Sequence, residues 1–233
     1  MCCSLANVYP NLRREKKTPW SEFQPIYYTN AFTHPMVPII TAENPQEIQL
    51  YRWGLIPPWC PSMEKADSLM NQTVNARCET VFEKPSFSDS ARFHRCIVPV
   101  TGFYEWHEQD GRKYPFYITM KDVPDFALAG ICNIWRNPST GESIPTFCIL
   151  TTTANPLLAV IHNVKKRMPV ILTQEGERIW LDPNTPVAEL KKLFVPWQGP
   201  LEAWPVAKIV NTRGTNCNVP SVQEPHDYPE LRI

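Results

Sequence analysis

Proline restricts the fold of this chain more than any other residue, because 25 prolines stand beside only 8 glycines in 233 residues. Proline fixes φ and lacks a backbone N–H, so it ends helices and is excluded from the middle of central strands. The segments between prolines are correspondingly short. The sequence therefore predicts many short strands and rigid turns in place of long helices.

Apolar runs and alternating patterns between the prolines locate these elements. The clearest is a long hairpin over residues 96–120 that turns at Asp110-Gly111. Further strands are predicted at residues 36–41, 48–53, 126–135, 144–152, 167–172 and 206–210, and short helices at residues 62–71, 175–181 and 187–194 and from Asn155-Pro156 onward. Residues 4–35, which include a basic run at 13–17, are predicted to be mainly loop.

The order of these elements indicates the fold class. No βαβ rhythm occurs, and most neighbouring strands are separated by turns short enough for hairpins. We expect one α+β domain over residues 1–233, in which mostly antiparallel strands form a distorted barrel-like core with short helices packed outside.

Charge and cysteine content narrow the possible functions. The formal net charge is zero, from 23 Lys and Arg against 23 Asp and Glu, so a nucleic acid would have to bind at a local basic patch. The 8 cysteines contain no C-x-x-C pair, which argues against a metal site and a disulfide framework. No signal-peptide profile and no run of about 18 apolar residues is present. We expect a soluble, cytoplasmic, monomeric protein without a cofactor.

Met1-Cys2 carries the most distinctive chemistry. If Met1 is trimmed, Cys2 presents an amine and a thiol on adjacent carbons, and both have usable unprotonated fractions near neutral pH. Such a 1,2-aminothiol reacts with an aldehyde: the amine forms an imine, and the thiol closes it to a thiazolidine. The alternative is that cysteine occupies this position by chance.

Asn75 and Arg77 lie two apart in an extended stretch and so share one face. The carboxamide can bond a sugar oxygen and the guanidinium can grip a phosphate, although such a pair also serves as a structural bracket. Trp59, beside Pro58, is predicted to be exposed, whereas Trp53 is predicted to be core. Lys84 lies in a stretch suited to phosphate contacts or to an ordinary exposed helix.

Glu105 and His162 are candidates for proton transfer. Glu105 stands between Tyr104 and Trp106, where burial would raise its pKa; the alternative is that it faces water at the edge of a sheet. His162 precedes Lys165, and nearby cations favour the neutral, proton-accepting imidazole.

Several short blocks occur in a fixed order: Met1-Cys2, Arg52-Trp53-Gly54-Leu55 with Pro58-Trp59, Asn75-Ala76-Arg77 with Glu79-Thr80, Gly102-Phe103-Tyr104-Glu105-Trp106, Ile161-His162 and Arg167-Met168-Pro169. With these blocks the chain resembles, over nearly its full length, the SRAP (SOS-response-associated peptidase) family, which shields abasic sites in single-stranded DNA by covalent capture. The family usually continues Met-Cys-Gly-Arg and often has a second bulky residue after the tryptophan, where this chain has Cys3, Ser4 and Cys60.

The resemblance implies a role for each matching residue. Cys2 would be the nucleophile, Asn75 would position the opened sugar, and Glu105 and His162 would move protons. Arg77 would hold DNA phosphate, Thr151 would line the site, and Trp59 and Lys84 would extend the DNA-binding surface. Single-stranded DNA with abasic sites would be the partner, which places the protein at the nucleoid when it is bound. Self-processing peptidase activity and weak lyase activity are implied side activities.

Two other functions remain open at this stage. An N-terminal-nucleophile amidohydrolase would use Cys2 to attack an amide and would be indifferent to DNA. A non-catalytic single-strand reader would use Trp59, Phe82 and basic residues, and Cys2 would be incidental. The adjacent Cys3 also offers a redox lock, because vicinal cysteines can form a strained, easily reduced disulfide.

Overall fold

The computed structural model describes residues 3–8, 24–208 and 216–233, and β-strands dominate them. The strands are β1 Ser4–Asn7, β2 Ile26–Asn30, β3 Met36–Thr41, β4 Gln49–Trp53, β5 Asn75–Arg77, β6 Arg95–Val100, β7 Gly102–Gln109, β8 Arg112–Met120, β9 Phe126–Arg136, β10 Ser143–Thr153, β11 Arg167–Pro169, β12 Ile171–Leu172 and β13 Leu201–Pro205. The α-helices are α1 Met63–Met70, α2 Ser88–Phe93, α3 Pro156–Ile161, α4 Gln174–Leu181 and α5 Val187–Lys192. None of these helices has the length and apolar character needed to cross a membrane.

Five strands close into a ring in the order β4-β3-β6-β9-β10. The ring closes because β10 pairs with β9 in antiparallel fashion and with β4 in parallel fashion. The strands β5 and β11 extend it beside β10, and β12 extends it beside β9. The predicted α+β fold with a barrel-like core of mostly antiparallel strands is thus confirmed.

Strands of the ring are buried on both faces, which explains their continuous apolar runs. On β9, Leu128 belongs to the main core cluster, whereas the next residue, Ala129, belongs to a second cluster that includes Trp180 of α4. The same alternation separates Phe147 from Cys148 on β10. Since strand side chains point alternately to opposite faces, one set fills the main core and the other lies beneath the peripheral helix.

A second, antiparallel sheet, in the order β13-β8-β7-β1-β2, packs beside the ring. Its inner face contributes Phe103 and Ile118 to the main core cluster. The phenyl group of Phe103 packs edge to face against that of Phe126, a residue of β9. Its other face carries Tyr104 and Tyr117. Hairpin β7–β8 turns at Asp110-Gly111, both with positive φ, as the sequence predicts.

Several sequence predictions are wrong in detail. Residues 4–35, which the sequence predicts to be mainly loop, contain β1 and β2 in their described part, and β6 belongs to the ring and not to the hairpin sheet. The last strand in the described part of the chain is β13, whereas Val206 makes only an isolated bridge to Pro225. The basic run 13–17 and residues 209–210 lie outside the described residues. The short polar strand β1 forms because β2 and β7 pair with it on both sides.

Candidate active site

Strand β7 carries Glu105 into the interior. Phe103 and Glu105 share the inner face of the sheet, and Glu105 is 2% exposed. The reading in which it faces water at a sheet edge is therefore wrong. Burial raises the pKa of the Glu105 carboxyl from 4.5 to about 7, because the charged form is poorly solvated there.

Helix α3 brings His162 to this carboxyl. The helix begins at Asn155, whose side chain accepts a hydrogen bond from the Leu158 N–H, and Pro156 occupies its first turn. It packs across β7, where His107 Nδ1 donates to the Val160 carbonyl. His162 directly follows the helix, and its Nδ1 lies 3.4 Å from Glu105 Oε2.

The imidazole of His162 is neutral in this setting. Burial lowers its pKa to about 4, and the positive charge of Lys165 acts in the same direction. The 3.4 Å contact with Glu105 is accordingly not an ion pair at neutral pH. Nδ1 donates to the Arg167 carbonyl at 3.0 Å, so it carries the hydrogen and Nε2 keeps the lone pair. The site therefore offers one carboxyl that titrates near pH 7 and one uncharged base.

Cys3 lies beside the pair. Strand β1 pairs with β7 so that Ser4 is opposite Tyr104, which places the preceding residue near Glu105. Burial raises the pKa of the Cys3 thiol to about 11, and the Glu105 carboxylate adds to the shift. The thiol is therefore protonated at pH 7, which makes Cys3 a poor nucleophile and slow to oxidise. Cys2 lies outside the described residues, and the proposed lock between the two stays a prediction.

Asn75 reaches the same place from the ring. Strand β5 pairs in parallel with β10, with Asn75 opposite Ile149, and Asn75 is 6% exposed. Its Nδ2 donates to Cys3 Sγ at 3.7 Å. Its Oδ1 is buried and has no hydrogen-bond partner among the described residues. A buried acceptor without a partner is costly, so this atom is available to a donor that enters the site.

A cavity of about 340 Å³ opens onto Cys3, Glu105 and His162, whereas Asn75 does not line it. Its lining residues come from the second sheet, from residues that flank its strands and from the loop after α3: Cys3, Ser4, Asn30, Phe32, Glu105, Trp106, Glu108, Lys113, His162, Val164 and Lys165. The volume suits a group of about nucleotide size. Within the described chain, no group of His, Cys, Asp and Glu side chains could hold a metal ion.

None of the predicted DNA-binding residues lines this cavity. Arg77 is exposed and is opposite Thr151 in the β5–β10 register. Thr151 has no exposed surface; its hydroxyl donates to the Ala76 carbonyl, and its own carbonyl accepts from Arg167 Nη2 at 2.5 Å. Arg167 also pairs with Glu79, donating to its carboxylate through both terminal guanidinium nitrogens, Nη1 and Nη2.

Trp59 and Lys84 form a separate exposed group. Trp59 is 49% exposed, and its indole N–H donates to the carbonyl of Pro85, the residue after Lys84. The indole is thereby fixed with a face toward solvent. Trp53, in contrast, is fully buried and stacks on Phe147.

Sequence analysis missed several cavity residues, among them Asn30 and Phe32. Asn30 ends β2 and Phe32 follows it, and the Ile-Tyr-Tyr-Thr run between Pro25 and Asn30 is a usable strand signal. No sequence pattern predicts that Val164 and Lys113 line the cavity, because only the folded chain brings them there.

A family model described as SOS response associated peptidase (SRAP) matches residues 2–213. The abasic site processing protein YoqW of Bacillus subtilis strain 168 is 38% identical over 211 residues, which are 89% of this chain and 89% of that protein. The abasic site processing protein HMCES of Xenopus tropicalis is 31% identical over 185 residues, which are 71% of this chain and 54% of that protein.

Solved structures share the fold as well. A protein from Bacteroides thetaiotaomicron superposes with a TM-score of 0.89 at 37% identity, covering 97% of this chain and 100% of that one. A protein from Bordetella bronchiseptica superposes with a TM-score of 0.72 at 25% identity, covering 88% of this chain and 100% of that one.

Proposed function

Because the chain belongs to the SOS response associated peptidase (SRAP) family, we propose that it processes abasic sites in single-stranded DNA by capturing them covalently through Cys2. The observation that carries this proposal is the buried Glu105–His162 pair, which stands at the cavity beside Cys3, the neighbour of Cys2. Such a pair supplies both a proton acceptor and a proton donor near neutral pH.

Capture follows from the chemistry of the abasic sugar, which is mostly a closed hemiacetal. Neutral His162 takes the proton of the anomeric hydroxyl and returns it to the ring oxygen, which frees the aldehyde. Asn75 holds the opened sugar, since its buried Oδ1 accepts a sugar hydroxyl.

The bonds to Cys2 then form in two steps, once Met1 has been removed. Glu105 takes a proton from the Cys2 ammonium, and the amine adds to the aldehyde carbon. The carbinolamine loses water as Glu105 protonates the departing hydroxyl and takes up the proton on nitrogen, which gives an imine. The thiol adds to the imine carbon and its proton passes to nitrogen, which closes a thiazolidine and shields the site from strand cleavage.

The same groups account for the side activities of this proposal. An imine that is not closed by the thiol permits β-elimination of the 3′ phosphate, which is a weak lyase activity. Removal of Met1 is the peptidase activity, and it uses the Cys2 thiol with Glu105 as base. Arg77, Trp59 and Lys84 hold the single strand by phosphate contact and base stacking. Thr151, which is buried, acts by positioning Arg77 and Arg167.

A denaturing gel tests the proposal directly. Wild type, Cys2→Ala and Cys3→Gly are each mixed with abasic single-stranded DNA, after intact mass has shown the state of Met1. We expect a stable adduct with wild type and Cys3→Gly, because the Cys3 thiol is almost entirely protonated, and none with Cys2→Ala.

An adduct that survives in Cys2→Ala would reject capture through Cys2. Loss of the adduct in Cys3→Gly would assign the second thiol a part in the chemistry. DNA binding without any adduct in wild type would favour the non-catalytic reader.

A further inference from the structure

Two exposed apolar side chains stand at the cavity that holds Glu105 and His162. Phe32 is 53% exposed and Val164 is 63% exposed, and both line this cavity. Single exposed apolar residues are ordinary, but a pair at the mouth of one polar cavity marks a surface for a ligand with an apolar face.

The ring of Phe32 is positioned by the backbone around it. Phe32 lies in a short 3-10 helix, Ala31–Thr33, which Asn30 caps by accepting a hydrogen bond from the Phe32 N–H at 2.9 Å. The Ala31 N–H donates to the Cys3 carbonyl at 2.8 Å. Phe32 is thus tied to the segment that enters the site, and its exposure is not that of a loose loop.

The loop that carries Val164 is fixed just as firmly. The Glu108 N–H donates to Asn163 Oδ1 at 3.0 Å, and Asn163 Nδ2 donates to the Glu108 carbonyl at 2.7 Å. The Lys166 N–H also donates to the His162 carbonyl at 2.8 Å. These bonds hold Val164 and Lys165 against β7.

Two ammonium groups complete this edge of the cavity. Lys113 and Lys165 both line it, and the charge of Lys165 partly offsets the rise in the pKa of Glu105 caused by burial and adds to the fall in the pKa of His162. Glu108 lines the cavity too, directly across the β7–β8 ladder from Lys113. An apolar surface beside two cations matches a nucleotide, which has a flat base and an anionic phosphate.

We propose that Phe32, Val164, Lys113 and Lys165 form a nucleotide rim that binds the nucleotide next to the abasic one. Its base lies against Phe32 and Val164, and its phosphate lies at the two lysines. This inference rests on the proposed function, in which the abasic sugar fills the cavity. The nucleotide rim adds a preference for abasic sites that have a base beside them.

Non-covalent binding isolates the nucleotide rim from capture. The probe is a single-stranded oligonucleotide with one tetrahydrofuran residue, an abasic analogue without an aldehyde, and affinity is measured by fluorescence anisotropy. One oligonucleotide has adenines on both sides of the analogue, and a second has tetrahydrofuran there as well. We expect wild type to bind the adenine-flanked oligonucleotide at least about fivefold more tightly, as one base–aromatic stack provides.

Matched variants test which residues produce this preference. Phe32→Ala should bind both oligonucleotides equally, whereas Phe93→Ala, which removes an equally exposed phenylalanine on α2, should keep the preference. Lys113→Gln should weaken the binding of both oligonucleotides to the same degree and reduce the slope of log affinity against log salt by about 0.7. Lys121→Gln, at an exposed lysine outside the cavity, is its control.

Retention of the wild-type preference in a folded Phe32→Ala, or a wild type without preference, would overturn the nucleotide rim. Adduct formation on aldehyde-bearing abasic DNA is scored in parallel, which separates the two proposals. Capture without flanking preference rejects the nucleotide rim alone, and preference without capture rejects only the covalent function.

Discussion

At the scale of single residues, the charge on Glu105 decides what the site can do. A carboxyl with a pKa of about 7 is half ionised at neutral pH, so it both accepts and donates protons there. His162, with a pKa of about 4, stays neutral throughout the range above pH 5. The two groups hold different roles because burial shifts their pKa values in opposite directions.

The first prediction concerns the pH dependence of capture. The rate should rise with pH and show one inflection near pH 7 from Glu105 and another near pH 8 from the amine of Cys2. Glu105→Gln should lose the lower inflection, keep the upper one and capture about 10²- to 10⁴-fold more slowly. Single-turnover rates from pH 5 to 9 measure this. An unchanged lower inflection in Glu105→Gln would assign it to another group.

The second prediction concerns stability. The folded-state pKa of Glu105 lies above 4.5, so between about pH 4.5 and 7 the folded chain keeps a proton that the unfolded chain has released. Raising the pH through this window therefore destabilises wild type. Glu105→Gln lacks this loss and should be more stable than wild type at pH 8, by on the order of 3 kcal/mol, and nearly equal at pH 4.

Urea unfolding of both proteins at pH 4, 6 and 8 tests this. If the difference in the free energy of unfolding between Glu105→Gln and wild type does not grow with pH, the carboxyl is not buried in its protonated form.

At the scale of elements, the site depends on how the loop after α3 is held against β7. Asn163 makes both hydrogen bonds of this contact, to the backbone of Glu108. The loop begins at His162, so the contact also sets the distance between His162 and Glu105.

The third prediction follows from this contact. Asn163→Ala should slow capture by roughly 10- to 100-fold, since small displacements of catalytic groups are costly, and should also weaken binding of the adenine-flanked tetrahydrofuran oligonucleotide, because the same contact holds Val164 and Lys165. Asn184→Ala, which removes a local bond to Asp182 far along the chain, is the control. Wild-type capture in Asn163→Ala would show that the loop is held by its other contacts.

Arg95 connects β6 to the peripheral helices. It is 2% exposed, and its guanidinium donates to the carbonyls of Arg92, Trp180 and Asp182 at 2.6 to 2.7 Å. The last two acceptors lie at the C-terminal end of α4, where cations bind favourably.

The fourth prediction is that Arg95→Met lowers the free energy of unfolding by about 3 kcal/mol or more, because it leaves three carbonyls without their donor. Arg95→Lys, which retains charge but fewer donors, should lose less. Arg178→Met at an exposed side chain should change stability little. Chemical denaturation at pH 7 measures the free energy of unfolding of each variant. If Arg95→Met lost no more of it than Arg178→Met, the buried hydrogen bonds of Arg95 would not contribute to stability.

At the scale of the whole molecule, the site exists only where the two sheets meet. Glu105 and Cys3 come from the second sheet, Asn75 comes from a strand attached to the ring, and His162 follows the helix that packs on β7. The molecule has no net charge, so the proposed DNA binding depends on a few placed cations.

The fifth prediction tests this dependence. Arg77→Ala should weaken binding to abasic and intact single strands alike and should lower the slope of log affinity against log salt by about 0.7, as expected for one lost phosphate contact. Arg178→Ala is the control, because this exposed arginine lies on α4 and is not one of the proposed DNA-binding residues. An Arg77→Ala variant with the wild-type salt slope would remove Arg77 from phosphate binding.

The sequence by itself determined the chemistry that is available and much of the local structure. Proline spacing and alternation indicate a barrel of short strands, the Asp110-Gly111 turn fixes the hairpin, and Asn155-Pro156 fixes the start of α3. These signals are local, because turn geometry and caps depend on residues a few positions apart. The residue blocks around Asn75, Glu105 and His162 also indicate the family, which the family model confirms.

Only the tertiary structure decided how those groups behave. The sequence did not decide whether Glu105 faces the core or water. The packing of α3 across β7 buries it and sets its pKa near 7. Asn75 meets Cys3 across 72 residues, and the polar strand β1 forms only between two partners. Desolvation and strand pairing depend on neighbours far away in the chain, so no local pattern contains them.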